Sequence, residues 1–379
     1  MLNQKEKTLA HLAAVAGQFQ YQNQVINIQE FGHGNINSTF LVTVDAPVSK
    51  HFILQRINTQ VFRQPKLVMQ NLRTFTEHVG QRLQGIPWQG DRRWEVVQVR
   101  LTQAGHDHWI DPNGSFWRAL SFIEAAQSFD TIQDLQHAQE VGYGLGMFHT
   151  LLSDLPPDKL ADTLEGFHIT PRYLQHYDQV LANDQVWAKN KANQSPEVNY
   201  CLQFIRDRRE WAHILEQAVA QGKLHLRPIH GDPKVNNIMM DCKTGQAISM
   251  IDLDTVKPGL VHYDIGDCLR SGCNPPGEET KAWEQVHFDL ELCRAILRGY
   301  LSLASNFLTE NDYEYLYDAI CLIAFELGLR FFTDYLAGNT YFKVKYPEHN
   351  LVRALVQFKL TASIESQEIA IRNLIQEMK

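Results

Sequence analysis

A short run near the middle of the chain carries residues whose types and order suit the transfer of a phosphoryl group. Asp232 follows His230 and Gly231, and Asn237 lies five positions after Asp232. Transfer to a hydroxyl needs a carboxylate that accepts the hydroxyl proton and a nearby amide oxygen that holds magnesium. Asp232 and Asn237 have the types and the spacing for these two tasks, and His230 is expected to support the loop.

A second carboxylate for the metal is expected where the chain returns through a hairpin. Two apolar runs, at 238–240 and 247–251, are separated by a polar turn that ends in Gly245, and the second run stops at Asp252. This arrangement predicts a β-hairpin that brings Asp252 beside the loop. We therefore predict that Asn237 and Asp252 hold Mg²⁺, with Asp254 in a supporting position.

A glycine-rich segment at 32–39 lies between two short runs of β-branched and apolar residues. Glycines in a hairpin are often only a turn, but they also let backbone amides approach phosphates closely. Because the catalytic segment follows later in the chain, we predict that this segment covers a nucleotide. Its candidate contacts are Gly32, Gly34, Asn37 and Thr39.

The next predicted strand, at 51–56, lacks the lysine that usually pairs with nucleotide phosphates at this place. Gln55 and Arg56 must point to opposite faces of the strand, and Arg56 is the cation that could serve instead. An ordinary surface arginine remains the alternative. The segment 122–125 is the expected hinge after the sheet, with Phe122 and Glu124 as contacts to the base of the nucleotide.

Composition restricts the class of partner. The chain has 379 residues, with 35 basic and 43 acidic side chains and a formal net charge of −8. This balance, without a basic run, argues against nucleic acid or an anionic membrane as partner and favours a small molecule. Residues 1–20 predict neither a secretory signal nor a spanning helix, and six scattered cysteines suit reduced thiols. A cytoplasmic protein is expected.

The periodicities predict an α+β fold. The segment 1–124 has β-rich patterns, including strands at 94–101, 109–110 and 116–123, and one predicted helix at 64–83. From residue 131 onward the apolar spacing is helical, which predicts a larger catalytic and substrate-binding lobe over 125–379. The predicted helices of that lobe are 134–152, 171–182, 197–221 and 288–303.

Four segments, at 32–40, 52–58, 230–237 and 251–254, resemble the aminoglycoside phosphotransferase and choline kinase superfamily. The resemblance runs nearly from end to end. It implies a protein-kinase-like fold of two lobes, with ATP and Mg²⁺ as cofactors. The segment 263–270 resembles the superfamily's tail motif, in which Asp264 and Asp267 are expected to buttress the catalytic loop through hydrogen bonds.

Further segments, at 167–173, 329–336 and 349–351, are similar to the N-acetylhexosamine 1-kinase branch. That resemblance implies transfer of the ATP γ-phosphate to the anomeric hydroxyl of N-acetylglucosamine or N-acetylgalactosamine. It also places Arg330 and Tyr341 against the sugar, beside Asp232. Independently, a neutral sugar needs planar donors, carboxylates and an aromatic face, which Arg330, Asp334 and Tyr341 offer. Core packing of Tyr341 and a structural ion pair of Arg330 remain alternatives.

Two other functions remain open on the sequence. A kinase of another small alcohol, such as choline, an aminoglycoside or homoserine, would share the catalytic residues and differ in the helical lobe. Choline would need an aromatic box, and a polycationic antibiotic would need clustered carboxylates. A catalytically silent nucleotide-binding regulator is the third reading, because the strand lysine is missing.

Overall fold

The computed structural model describes residues 4–19, 24–32, 36–46, 50–85, 92–183 and 195–379. Backbone contacts divide the chain into two compact units. The first contains Met1–Ala126 together with Asp158–Leu164 and Leu253–Lys257. The second contains Gln127–Pro157, Glu165–Asp252 and Pro258–Lys379. Two later segments of the chain therefore belong to the first unit. The predicted division at residue 124 does not include them.

The first unit is built on an antiparallel sheet in the order β1-β2-β3-β6-β4, with β5 paired to β6. Its strands are β1 (Val25–Glu30), β2 (Ser38–Val44), β3 (His51–Ile57), β4 (Val99–Arg100), β5 (Trp109–Ile110) and β6 (Phe116–Ser121). Its helices are α1 (Gln4–Gln18) and α2 (Pro65–Leu83). The predicted strand at 94–101 was wrong in length, since only Val99 and Arg100 form a ladder, with Leu120 and Ala119.

The two faces of this sheet have different partners. Residues of α1 pack with Phe52, Leu54, Trp117 and Ala119, which alternate along β3 and β6 and so share one face. Antiparallel pairing sets Gln55 opposite Arg118, and these residues belong to the other face. The face that α1 does not cover therefore carries the side chains of Gln55 and Arg118.

The second unit is mainly helical. Its helices are α3 (Leu135–Leu152), α4 (Thr170–Leu181), α5 (Pro196–Arg208), α6 (Ile214–Ala220), α7 (Val261–Gly272), α8 (Leu290–Ala304), α9 (Glu310–Glu314), α10 (Leu316–Leu336), α11 (His349–Ser366) and α12 (Glu368–Met378). Short strands follow at β7 (Ala126–Gln127), β8 (Arg227–Ile229), β9 (Ile238–Asp241), β10 (Ala247–Met250) and β11 (Lys257–Gly259). The predicted α+β fold, β-rich first and helical afterwards, is confirmed.

Close packing of α3 against α8 depends on glycine. A Cβ atom on Gly142 would lie 1.9 Å from the carbonyl oxygen of Ile296, and one on Gly299 would lie 1.9 Å from that of Gln139. Side chains at these positions would separate the helices. His149 of α3 lies in the interior of the unit, where its side chain contacts Asp264.

The predicted helix at 197–221 was wrong as a single element. It is divided into α5 and α6, with the 3-10 turn Trp211–His213 between them. Arg208 at the end of α5 forms an ion pair with Glu365, while Trp211 packs edge-on against Phe325. The apolar spacing continues through the break because each piece buries its own face, so periodicity alone does not detect the change of direction. Within the described ranges, the helices are all too short or too polar to cross a membrane.

Candidate active site

The loop with Asp232 is held by a buried carboxylate from α7. Asp264 accepts hydrogen bonds from the backbone N–H groups of His230, at 2.7 Å, and Gly231, at 2.8 Å. Its side chain is completely buried and also contacts Nε2 of His149 at 2.9 Å. Burial opposes ionisation, but the hydrogen bond and charge of His149 bring the pKa of Asp264 below its usual value. The predicted buttressing role of Asp264 is confirmed, whereas Asp267 binds Arg270 instead.

A buried histidine supports the same loop from another side. His168 donates from Nε2 to the carbonyl oxygen of Gly231 at 2.7 Å, and its Nδ1 lies 3.0 Å from the Glu326 carboxylate. Burial alone would lower the pKa of His168, but Glu326 raises it, so the imidazolium form is favoured. Both His168 and Gly231 have positive φ, 64° and 84°. His168 is therefore a support of the loop rather than a contact to an acceptor.

His230 joins the loop to the strand that precedes Asp252. Its Nε2 donates to the carbonyl oxygen of Ile251 at 2.9 Å, and its Nδ1 accepts from the backbone N–H of Asp232 at 3.3 Å. Burial lowers the pKa of His230 and keeps the ring neutral, which suits this pattern of one donor and one acceptor. Both ring nitrogens contact the backbone of the loop and of the strand end, which agrees with a supporting role, while the part of His230 in catalysis stays a prediction.

Asp232 carries a lysine beside it that the sequence analysis did not single out. The Lys234 ammonium lies 3.0 Å from the Asp232 carboxylate. Burial would raise the pKa of Asp232, but Lys234, with His230 and Arg270, holds it below the ordinary value. The carboxylate is therefore ionised at neutral pH and can accept a hydrogen bond from a hydroxyl. In the sequence, the position of Lys234 two residues after Asp232 was the signal for this ion pair.

Two oxygen donors of the second unit fit magnesium. Asn237 donates from Nδ2 to the carbonyl oxygen of Asp232 at 2.8 Å, which leaves its amide oxygen for a metal. The carbonyl oxygen of Asn237 accepts from the N–H of Ile251 at 2.9 Å, so the exposed Asp252 follows directly. No group of three or more His, Cys, Asp and Glu side chains that suits a metal occurs among the described residues. Two protein ligands suit Mg²⁺, which keeps waters and substrate phosphates as its other ligands.

The glycine-rich segment of the first unit is tied to the segment after Asp252. Asn37 donates from Nδ2 to the carboxylate of Asp254 at 2.6 Å and accepts from the backbone N–H of Asn58 at 2.9 Å. Gly32 has a φ of 76°, which favours glycine, and Thr39 accepts from Gln55 at 3.0 Å. Gly34 lies outside the described residues. The structure thus brings Asn37 together with the second acidic residue of the Ile251–Asp254 run.

The predicted cation Arg56 and its neighbour Gln55 lie on opposite faces of β3. Arg56 is exposed on the face that α1 covers, with its guanidinium 3.2 Å from the Ser38 hydroxyl and 6.0 Å from the Trp117 ring. On the other face, Arg118 donates to the Gln55 side chain at 2.9 and 2.7 Å. Arg118 was missed by the sequence analysis, although a charged residue inside the apolar run of β6 was a signal.

The predicted hinge residues lie at the end of the sheet. The Phe122 ring packs edge-on against Phe31 and His51, at 5.8 and 5.6 Å between centroids. Glu124 is exposed, and its carboxylate lies 3.0 Å from His51 while its carbonyl oxygen accepts from Arg93. These contacts join the hinge to Phe31, directly before the glycine-rich segment, and to His51 at the start of β3. Contact of Phe122 and Glu124 with a base stays a prediction.

The predicted acceptor residues cluster in the second unit. The guanidinium of Arg330 lies 5.1, 5.0 and 5.6 Å from the ring centroids of Phe167, Tyr173 and Phe342. Burial would lower the pKa of Arg330, but Tyr173, Glu326, Tyr341 and Asp232 raise it. Arg330 is therefore a fixed positive charge that three aromatic rings surround.

Asp334 holds the loop that carries Tyr341. Its carboxylate accepts from the backbone N–H groups of Thr340, Tyr341 and Phe342 at 2.8 to 2.9 Å and from the Asn350 side chain at 2.9 Å. Asp334 is thus occupied within the protein and positions its neighbours. The Tyr341 side chain is 55% exposed, which excludes the alternative of core packing and leaves its ring accessible.

Comparison with known proteins places this geometry in a family. Residues 27–302, more than half of the chain, match the sequence profile of the phosphotransferase enzyme family. An aminopropanol kinase associated with a microcompartment is 14% identical, with a TM-score of 0.59 over 96% of this chain and 98% of that chain. A choline kinase from Cryptosporidium parvum is 13% identical, with a TM-score of 0.60 over 98% and 99% of the two chains.

An aminoglycoside phosphotransferase from Alicyclobacillus acidocaldarius is 14% identical, with a TM-score of 0.55 over 96% of each chain. At these identities the solved structures are similar in fold alone. The profile match and the loop built from His230, Asp232 and Asn237 agree with each other. The chain belongs to the phosphotransferase enzyme family.

Proposed function

We propose that this ATP-dependent phosphotransferase acts on a neutral sugar, and that it moves the γ-phosphoryl group to the anomeric hydroxyl of N-acetylglucosamine or N-acetylgalactosamine. Membership of the family establishes the reaction class, with an alcohol group as acceptor and ATP and Mg²⁺ as cofactors. The proposal adds the identity of the acceptor, which the similarity to sugar 1-kinases in 329–336 first suggested.

The observation that carries the proposal is the guanidinium of Arg330 among three aromatic rings. An open aromatic cage near Asp232 would bind an ammonium group through cation–π contacts. Here the protein's own cation occupies the cage. Amino alcohols and aminoglycosides are positively charged at neutral pH, so Arg330 would repel them from the catalytic carboxylate. A neutral acceptor experiences no such penalty.

The groups that remain available suit a sugar. Arg330 offers planar donors to hydroxyl and acetamide oxygens, and the exposed ring of Tyr341 offers an apolar surface for a pyranose face. Asp334 keeps the backbone around Tyr341 in one arrangement. These contacts support recognition of a polar, uncharged ring.

The ionisation of Asp232 also favours an anomeric hydroxyl. Lys234 keeps the Asp232 pKa low, so this carboxylate is a weak base. An anomeric hydroxyl is more acidic than an ordinary alcohol because the ring oxygen withdraws electrons, and proton transfer to a weak base is therefore easier. Asp232 would orient this hydroxyl and take its proton as the bond from the hydroxyl oxygen to the γ-phosphorus forms. The bond between the γ-phosphorus and the bridging oxygen breaks in the same step, and ADP leaves. Asn237 and Asp252 would hold magnesium, which when bound neutralises charge on the phosphates.

The proposal is tested by ADP release with MgATP and single acceptors: N-acetylglucosamine, N-acetylgalactosamine, glucose, choline, ethanolamine, homoserine and kanamycin. Turnover confined to the N-acetylhexosamines, with an acid-labile phosphate in the product, would support it. Efficient turnover of choline, ethanolamine or kanamycin would contradict it. ADP binding without turnover of any acceptor would favour a silent nucleotide-binding regulator.

A further inference from the structure

The first unit contains a buried arginine that the proposed reaction does not yet use. Arg118 is 2% exposed, although it lies in the middle of β6. Its Nε and one terminal nitrogen, Nη2, donate to the side-chain oxygen of Gln55 at 2.9 and 2.7 Å. The same Nη2 lies 2.5 Å from the Asp254 carboxylate. Gln55 and Asp254 thus fix the plane of the guanidinium.

The other terminal nitrogen has no partner among the residues that the structure describes. Nη1 of Arg118 is buried from solvent and forms no hydrogen bond with any of them. Leaving the donors of a charged group unpaired in the interior is costly, so such an atom usually marks a position for a ligand. The ligand must be an acceptor, and an anion is favoured because the guanidinium is always charged.

The surroundings of Arg118 indicate which anion. Asp254, its ion-pair partner, follows two residues after the predicted magnesium ligand Asp252 and accepts from Asn37 of the glycine-rich segment. Gln55 also donates to Thr39 of that segment. The cluster is therefore bonded to the residues expected to cover phosphates, on the sheet face opposite α1. Guanidinium groups bind phosphate oxygens strongly through charge-assisted hydrogen bonds.

The arginine of β3 does not belong to this cluster. Arg56 occupies the opposite face, and the carboxylate of α2 that could pair with a strand lysine, Glu77, forms an exposed pair with Arg73. In place of a lysine and a helix carboxylate, the first unit has Arg118 and Asp254. The buried cation thus lies on β6 instead of β3. The side chain of Gln55 on β3 accepts its hydrogen bonds and connects the two strands.

We propose that Arg118 binds the polyphosphate of ATP through Nη1 and replaces the lysine that β3 lacks. Gln55 and Asp254 are positioning residues that hold its guanidinium. This inference rests on the ATP-dependent reaction proposed above but not on the identity of the acceptor.

The test compares the affinities for ADP and for adenosine, measured by calorimetry on the full chain without an acceptor. Arg118→Met should weaken ADP binding about 10- to 100-fold and leave adenosine binding unchanged, because adenosine has no phosphate. Arg118→Lys should recover part of the ADP affinity. Arg73→Met, which removes the exposed pair with Glu77 on α2, is the matched control and should change neither affinity.

An equal loss of affinity for ADP and adenosine would show a merely structural role of Arg118, and unchanged ADP affinity would also overturn the proposal. If Arg118→Met does not fold, Arg118→Lys carries the test, because its ratio of ADP to adenosine affinity must still fall below that of the wild type. A chain that binds ADP through Arg118 but phosphorylates no N-acetylhexosamine would sustain this inference and contradict the proposed acceptor.

Discussion

His230 donates a hydrogen bond from Nε2 to the carbonyl oxygen of Ile251, so the histidine two residues before Asp232 is bonded to the residue directly before Asp252. This hydrogen bond connects the loop that contains Asp232 to the end of the strand that precedes Asp252. Neutralising Asp232 or Asp252 should therefore affect catalysis while leaving that connection in place.

Asp232→Asn should abolish turnover. An amide keeps the size of the side chain but is not a base, and loss of a general base costs about 10² to 10⁴ in rate. The ADP affinity should stay within about twofold, because the predicted contacts to the nucleotide lie elsewhere. Steady-state kinetics and calorimetry check both parts. Asp207→Asn, at an exposed site where Asp207 binds Gln203, is the control and should be fully active.

Lys234→Met should change the pH dependence of kcat/KM. In the wild type the pKa of Asp232 is depressed, so its active ionised form persists as the pH falls to about 5. Without Lys234, burial dominates and raises this pKa, so activity should decrease between about pH 7 and 5. Lys223→Met, which removes an exposed contact to Tyr315, should leave the profile unchanged. Identical profiles for the wild type and Lys234→Met would refute this account.

Asp252→Asn should remove most activity at ordinary magnesium concentrations. Asp252 has a φ of 63°, a conformation that asparagine tolerates well, so the free energy of unfolding should hardly change. Asp252→Ala should in addition lose about 1 kcal/mol of stability from its backbone conformation. Titration of activity with MgCl₂ and urea unfolding separate the two effects. Unchanged magnesium dependence of Asp252→Asn would exclude this residue as a ligand.

Asp264→Asn should lower both stability and kcat. Asparagine keeps one accepting oxygen, but its amide nitrogen cannot accept, so the donors of His230, Gly231 and His149 can no longer all be paired. A buried unpaired group costs roughly 1–3 kcal/mol. Asp289→Ala removes the N-cap of α8, which costs about 1 kcal/mol, and serves as a control that lowers stability without touching the loop. If both variants lost kcat equally, a general loss of stability would explain the result.

Arg330→Met should reduce kcat/KM for the sugar about 10- to 100-fold, with no change in the KM for ATP, because charged donors to the acceptor are lost. Arg372→Met is the matched control, since Arg372 also lies over an aromatic ring, that of Tyr317, at 4.2 Å. An increase of the KM for ATP alone would assign Arg330 to the nucleotide instead.

Elements whose structure depends on the local sequence pattern were predicted correctly from the sequence. The hairpin at 238–251 formed as predicted because a polar turn closed by Gly245, with a φ of 69°, separates two apolar runs. Asp264 was identified as a support because it lies in a segment that resembles a known motif. The break between α5 and α6 was missed because apolar spacing persists across it.

The missed site residues depend on pairing between distant segments. Arg118 meets Gln55 only because β6 lies antiparallel to β3 in one register, and it meets Asp254 across 136 positions of sequence. A shift of one residue would exchange Arg118 with Trp117. Such partners follow from the register of the sheet, which composition and periodicity do not specify.

The aromatic cage around Arg330 has a consequence for the charge of the groups that this part of the protein can bind. Phe167, Tyr173 and Phe342 already enclose a positive charge, but that charge is covalently part of the chain. Loss of the guanidinium by one substitution would leave a preformed receptor for a free ammonium ion. A single substitution at position 330 would then change the charge of the group that these rings favour, with the residues around Asp232 unaltered.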